Sequence, residues 1–172
     1  FSVDASPKRI ENCRKQVFDL GLINKINVFN TALGSSDCPN EITLFENPFN
    51  SGGSFTSDDN NMTNNWDREV VSCCTLDDLL FDEIIALKKI NKIVLKIDVE
   101  GYELKVLAGS RKIVNKFLPI ILIEARPNIE IYKKIYELLP ENYKIFDSSE
   151  FLFGKPNKLI DTDLVCLPFN KN

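Results

Sequence analysis

The stretch KIVLKIDVEGYELKVLAGS, residues 92–110, decides how this chain is read. Ile93 to Ile97 make an apolar run with one lysine in it, Lys96, and the run stops on Asp98-Val99-Glu100-Gly101 before apolar residues recur at helical spacing. A short apolar run bounded by a turn signal reads as a strand buried on both faces, as in a parallel sheet. Two acids at the mouth of such a strand would repel one another if both were desolvated. Something must compensate them. Lys96 lies two residues before Asp98, so in a strand the two side chains share a face. Burying the Lys96 ammonium unpaired is costly, so a Lys96–carboxylate pair or an outward reach along its apolar stem is expected. A cationic ligand, a metal or free backbone N–H groups of the following helix are the other ways to compensate the two acids. Gly101 suits a close backbone approach at the turn from strand to helix.

Strands and helices alternate on both sides of this stretch. Downstream, YELKVLAGSRKIVNKF predicts one helix with Leu104, Leu107, Ala108, Val114 and Phe117 along one side. PIILIEA predicts a continuous apolar strand closing on Glu124, and NIEIYKKIYELL a helix stopped by Pro140. YKIFD and LVCLPF are the last two strand candidates. Upstream, FSVD is a short strand ending on Asp4. Ser6 as N-cap and Pro7 at the first position then open a helix carrying Ile10, Cys13, Val17 and Leu20. INKINVFNTALG predicts a second strand with Ile26, Val28, Phe29 and Leu33. EITLFE and REVVSCCTL follow as strands, separated by the polar loop NPFNSGGSFTSDDNNMTNNWD. Thr75 caps an amphipathic helix bearing Leu76, Leu79, Leu80, Ile84 and Leu87. This alternation predicts a single α/β domain over residues 1–172, an open doubly wound and mostly parallel sheet with helices on both faces.

The bulk numbers narrow the chemistry. The chain has 172 residues, is 44% hydrophobic and 27% charged, and carries a net charge of -4, so it offers no broad basic field to nucleic acid. No apolar run reaches the roughly 18 to 20 residues that cross a bilayer. Five cysteines without a CxxC pair and no histidine argue against a zinc site and against a Cys/His or Ser/His nucleophile. The same cysteines read as reduced core residues of a cytoplasmic protein. Asn61-Met62-Thr63 fits a glycosylation triplet, of a kind that arises by chance in an Asn-rich segment.

Three predicted strands end in acids: Asp4, Asp98 and Glu124. In open α/β sheets the ligand crevice lies beyond the carboxyl ends of the strands. An acid placed as Asp4 is can accept hydrogen bonds from ribose hydroxyls of a nucleotide cofactor, or simply complement the dipole of the following helix.

The run IVLKIDVEGYELKVLAGSRKI with PIILIEA, preceded in order by FSVDASPKRIENCRKQ, VFNTALGSSD and VSCCTLDDLL, resembles the signature of FkbM-type methyltransferases. These are class I enzymes dependent on S-adenosylmethionine, and the resemblance extends to about Pro127. It implies that Asp4 holds the cofactor ribose and that Asn30 lies near the adenine. Asp98 and Glu100 would line the pocket beside the sulfonium and the acceptor, with Glu124 across from them. Without histidine, a carboxylate is the expected base for a hydroxyl acceptor, Asp98 first and Glu100 second. Asp98, Glu100 and Glu124 could instead hold a divalent cation, although no metal is assigned. Ser51-Gly52-Gly53-Ser54 would belong to a lid. The acceptor implied is a small molecule, sugar or lipid, with no nucleic acid partner and no membrane span. The family's first strand and glycine-rich turn are not recognised ahead of Asp4, so the sheet is expected to be incomplete at its N-terminal side. Two other readings compete: a non-catalytic, degenerate methyltransferase-like module, and a nicotinamide-dependent oxidoreductase.

Overall fold

The structure is a computed structural model that describes residues 1–47, 54–57, 66–87, 89–125, 129–148 and 162–169. The glycosylation triplet and Ser51-Gly52-Gly53 of the expected lid lie outside the described residues. The strand at the centre of the sequence reading is β7 (Val94–Ile97), and the strand closing on Glu124 is β8 (Ile120–Ala125). They pair in parallel, Val94 opposite Ile120 and Ile97 opposite Ile123. β10 (Thr162–Pro168) runs antiparallel beside β8, and β9 (Tyr143–Asp147) antiparallel beside β10.

A second sheet joins β3 (Ala32–Leu33), β6 (Asp67–Cys74), β4 (Glu41–Glu46) and β5 (Phe55–Ser57) in that order. A third holds only β1 (Ser2–Asp4) and β2 (Val28–Asn30), paired in parallel. The expectation of one mostly parallel sheet is therefore corrected. Among the described residues three strand pairs are parallel and four antiparallel, spread over three sheets. The antiparallel pairs arise where strands follow one another without an intervening helix, as β4, β5 and β6 do, and where β10 enters between β8 and β9.

The helices hold these sheets against three apolar clusters. α1 (Pro7–Asp19) starts at the Ser6 cap, whose hydroxyl accepts from the Arg9 N–H, and buries Ile10 and Val17. Leu20, expected on the apolar side, is exposed. α2 (Leu76–Ala86) starts at Thr75, whose hydroxyl accepts from Asp78 N at 2.9 Å. Leu76, Leu80 and Ile84 pack with Ile113. The largest cluster lies against the β7–β8–β10–β9 sheet and includes Ile97, Leu107, Ile121, Ile123, Ile135 and Leu164.

Two expected elements are divided. The single helix read over residues 102–117 is α3 (Glu103–Ala108) and α4 (Arg111–Phe117), separated at Gly109-Ser110. A Cβ on Gly109 would lie 1.9 Å from the Gly34 carbonyl oxygen, so the break brings two backbones into contact. Asp77, at the start of α2, completes the join: its carboxylate accepts from Lys112 N at 2.8 Å and Ile113 N at 2.9 Å, supplying the cap that α4 lacks. The strand read over residues 26–33 likewise splits into β2 and β3 at Thr31, whose N–H donates to the Asp4 carbonyl. The last helix, α5 (Ile129–Leu138), ends ahead of Pro140 as expected.

Candidate active site

The carboxyl ends of β1 and β7 line one cavity of about 250 Å³. Val3, Asp4 and Ala5 contribute from β1 and the residues after it, Asp98, Val99 and Glu100 from the turn after β7. Thr31 and Ser54 also reach it; Ser54 belongs to the stretch read as a lid, whereas Thr31 was not singled out in the sequence because no motif surrounds it. A second cavity of about 520 Å³ lies against Phe55, Trp66, Glu100, Gly101 and Glu124. Glu100 belongs to the walls of both.

Asp4 is tightly held. Its Oδ1 accepts from Ser6 N at 2.8 Å, and both carboxylate oxygens accept from Arg9 Nε at 3.0 Å. This joins the two readings of Asp4, since the carboxylate helps organise the start of α1 and also faces the cavity. Oδ2, engaged among the described residues by Arg9 alone, keeps capacity for a further donor such as a ribose hydroxyl. Asn30 is absent from the cavity wall; its side-chain amide donates to the Asp4 and Ala5 carbonyls at 3.1 and 3.0 Å and so ties β2 to the end of β1.

At the other strand ends the charge balance differs. The Lys96 ammonium pairs with Asp98 Oδ2 at 2.5 Å, the same-face contact that their spacing implies. Burial of β7 on both faces is corrected: Leu95 and Ile97, on one face, pack into the apolar clusters, while Val94 and Lys96, on the other, are exposed. Asp98 also shares a hydrogen bond with Glu124, which, together with Lys96, holds the Asp98 carboxyl below its ordinary range. Glu124 moves the opposite way, up to about 7, chiefly through that bond to Asp98, then through desolvation and the nearby charges of Asp98, Glu100 and Asp163. The proton of the pair therefore resides on Glu124, which donates to Asp98.

The turn that brings these acids together is strained. Glu100 has φ of 48° and Gly101 of 92°. Left-handed backbone costs a non-glycine residue about 1–2 kcal/mol, so the fold tolerates a strained carboxylate at the seam of the two cavities. Gly101 is needed for its dihedral; nothing lies within 4 Å of a Cβ built there, which corrects the expected close approach. Asp98, Glu100 and Glu124 each present an oxygen within 4.8 Å of the others, a spacing a hard cation could bridge, but all three are exposed and Lys96 already compensates Asp98. No metal is assigned.

A family model described as the methyltransferase FkbM domain matches residues 1–146. The chain belongs to the FkbM methyltransferase family. Its fold is similar to the crystal structure of methyltransferase FkbM from Methylobacillus flagellatus KT, with a TM-score of 0.54 and 17% identity. That match covers 95% of this chain and 35% of the Methylobacillus chain, so the FkbM domain described here spans about a third of that protein's length. Among curated proteins none matches. No helix among the described residues is long and apolar enough to cross a membrane.

Proposed function

We propose that this FkbM domain transfers a methyl group from S-adenosylmethionine to a hydroxyl of a small molecule, sugar or lipid. The observation that carries the reading is the pair of adjoining cavities that share Glu100, one walled by Asp4 and Asp98 and the other by Glu124. The parallel pairs β1–β2 and β7–β8, each closing on an acid, support a class I methyltransferase sheet within one domain over residues 1–172. Five free cysteines support a cytoplasmic setting.

In this reading the first cavity takes the cofactor and Asp4 holds its ribose through the acceptor position that Arg9 leaves on Oδ2. S-adenosylmethionine supplies a methyl group on a positively charged sulfur, which leaves as a neutral thioether. Once deprotonated, as pH rises through about 7, Glu124 takes the acceptor's proton. Among the acids of the site it is the one whose affinity for a proton is raised toward neutrality, where a general base works best. Asp98, paired with Lys96, acts as the fixed negative partner that sets Glu124's proton affinity. The aromatic rings of Phe55 and Trp66 and the aliphatic side chains of the second cavity give the acceptor an apolar wall.

Calorimetric titration with S-adenosylhomocysteine tests the cofactor half of the proposal. Saturable binding that Asp4→Ala weakens is expected. Absence of binding, both in this chain and in any longer polypeptide containing it, would overturn the reading. Transfer of labelled methyl groups to a panel of hydroxyl acceptors tests the other half.

A further inference from the structure

We propose that the second cavity is an acceptor pocket for a small molecule bearing a protonated or quaternary amine, so that the hydroxyl to be methylated is carried on a cation; this rests on the methyl-transfer reading above. The argument starts from the walls. Phe55 and Trp66 meet edge to face with ring centroids 5.4 Å apart at 61°, and both border the cavity. Three carboxylates border it too: Glu100, Glu103 and Glu124.

Among the described residues no lysine or arginine lines the cavity. The nearby cations are already engaged, Lys96 by Asp98 and Lys105 by the hydroxyl and ring of Tyr102. Among the described residues the walls of the pocket therefore carry an excess of negative charge, and the elevated proton affinity of Glu124 beside Asp98, Glu100 and Asp163 is one consequence of it. Aromatic rings carry a negative face that attracts ammonium groups, most strongly where water is displaced. Rings and carboxylates thus favour the same kind of guest. A neutral guest gains no Coulomb energy from these walls, and an anion is repelled by Glu100 and Glu103, and by Glu124 once it has lost its proton.

Trp66 is the single tryptophan of the chain, so its emission reports on this cavity. Three probes of one shape separate charge from fit: choline as the cation, 3,3-dimethyl-1-butanol as its neutral isostere, and 3,3-dimethylbutanoate as the anion. Each is titrated by fluorescence and again by calorimetry, so that a spectroscopically silent event is still detected. Choline is expected to bind at least tenfold more tightly than the neutral alcohol, with no binding by the anion. Glu103→Gln, which keeps an oxygen for the Gly101 N–H that Glu103 accepts at 2.8 Å, is expected to narrow that ratio several-fold. Equal or tighter binding of the alcohol, binding of the anion, or no binding of choline would each overturn the proposal. Displacement of choline by S-adenosylmethionine would also overturn it, because the cation recognised would then be the cofactor's own. The series needs no turnover. Failure of methyl transfer with an intact choline preference would therefore sink the proposed function alone, and the reverse result would sink the pocket alone.

Discussion

Asp4 and Glu124 are both acids at the carboxyl ends of strands, yet their surroundings give them different chemistry. Asp4 is matched by a guanidinium and a backbone N–H, so its charge is balanced and its geometry fixed. Glu124 faces Asp98, Glu100 and Asp163, with Lys96 the cation acting on the pair among the described residues, so it keeps a proton up to about pH 7. A balanced carboxylate is suited to holding a ligand, and an unbalanced one to moving a proton. Position at a strand end selects residues that can meet a ligand, whereas the charges around each one decide what it does there.

The contrast can be broken most forcefully at Glu124. Glu124→Gln is expected to lower methyl transfer by about 10²–10⁴-fold, the usual worth of a positioned general base. It should also remove a rise in kcat/KM with a midpoint near pH 7, as read from a pH–rate profile. If the variant keeps that midpoint, another group carries the proton. Asp4→Ala comes next, with a loss of about 10–100-fold in S-adenosylhomocysteine affinity, corresponding to roughly 1.5–3 kcal/mol for a hydrogen bond to a charged group. Carboxyl carbon NMR of the same variant should show the Glu124 titration unmoved; a displaced midpoint would mean that the two ends are electrostatically one site.

Stability measurements sharpen the comparison further. Gly109→Ala forces a Cβ onto the Gly34 carbonyl. It is expected to cost about 2 kcal/mol, by analogy with overpacked cores, and roughly 4–8 °C in Tm for a domain of this size. An unchanged melting temperature would show that the join between α3 and α4 is not held by that contact. Glu100→Gly should act in the opposite sense. It relieves the left-handed backbone at the cost of a more flexible unfolded chain, for a net gain of about 0.5–1 kcal/mol. The smallest expected effect is a pH slope. Because the folded protein raises Glu124 above the ordinary 4.5, its contribution to stability is present below that pH and is lost as pH rises to about 7. Asp98, shifted down, contributes above its ordinary range and loses that contribution as pH falls. Thermal melts of wild type and Glu124→Gln from pH 5 to 8 should diverge accordingly, with the variant flatter.

Much of the fold was legible because its signals are local. Ser6 and Thr75 cap helices where side-chain chemistry says they should. The strands that carry Asp4 and Glu124 at their ends, and the shared face of Lys96 and Asp98, follow from spacing, and the pairing of the two was one of the two outcomes expected for the lysine. The break at Gly109 was not legible, since apolar residues continue at helical spacing through it and the reason for the break is Gly34, 75 positions earlier in the sequence. β5 was missed because Phe55–Ser57 lies inside a polar stretch and becomes a strand only by pairing with β4. Thr31 and Trp66 went unnoticed as wall residues for the same reason: nothing in their neighbours points to a cavity.

By itself the sequence determined the family, the alternation of strands and helices, and the three strand-end acids, because periodicity, caps and motif spacing are properties of adjacent residues. Tertiary structure alone decided that the described strands form three sheets, two of them mixed, that Asp4 is neutralised by Arg9, and that Glu124 becomes the proton-holding acid. Proton affinity depends on distances between charges from β7, β8 and β10, and those distances exist only once the chain has folded.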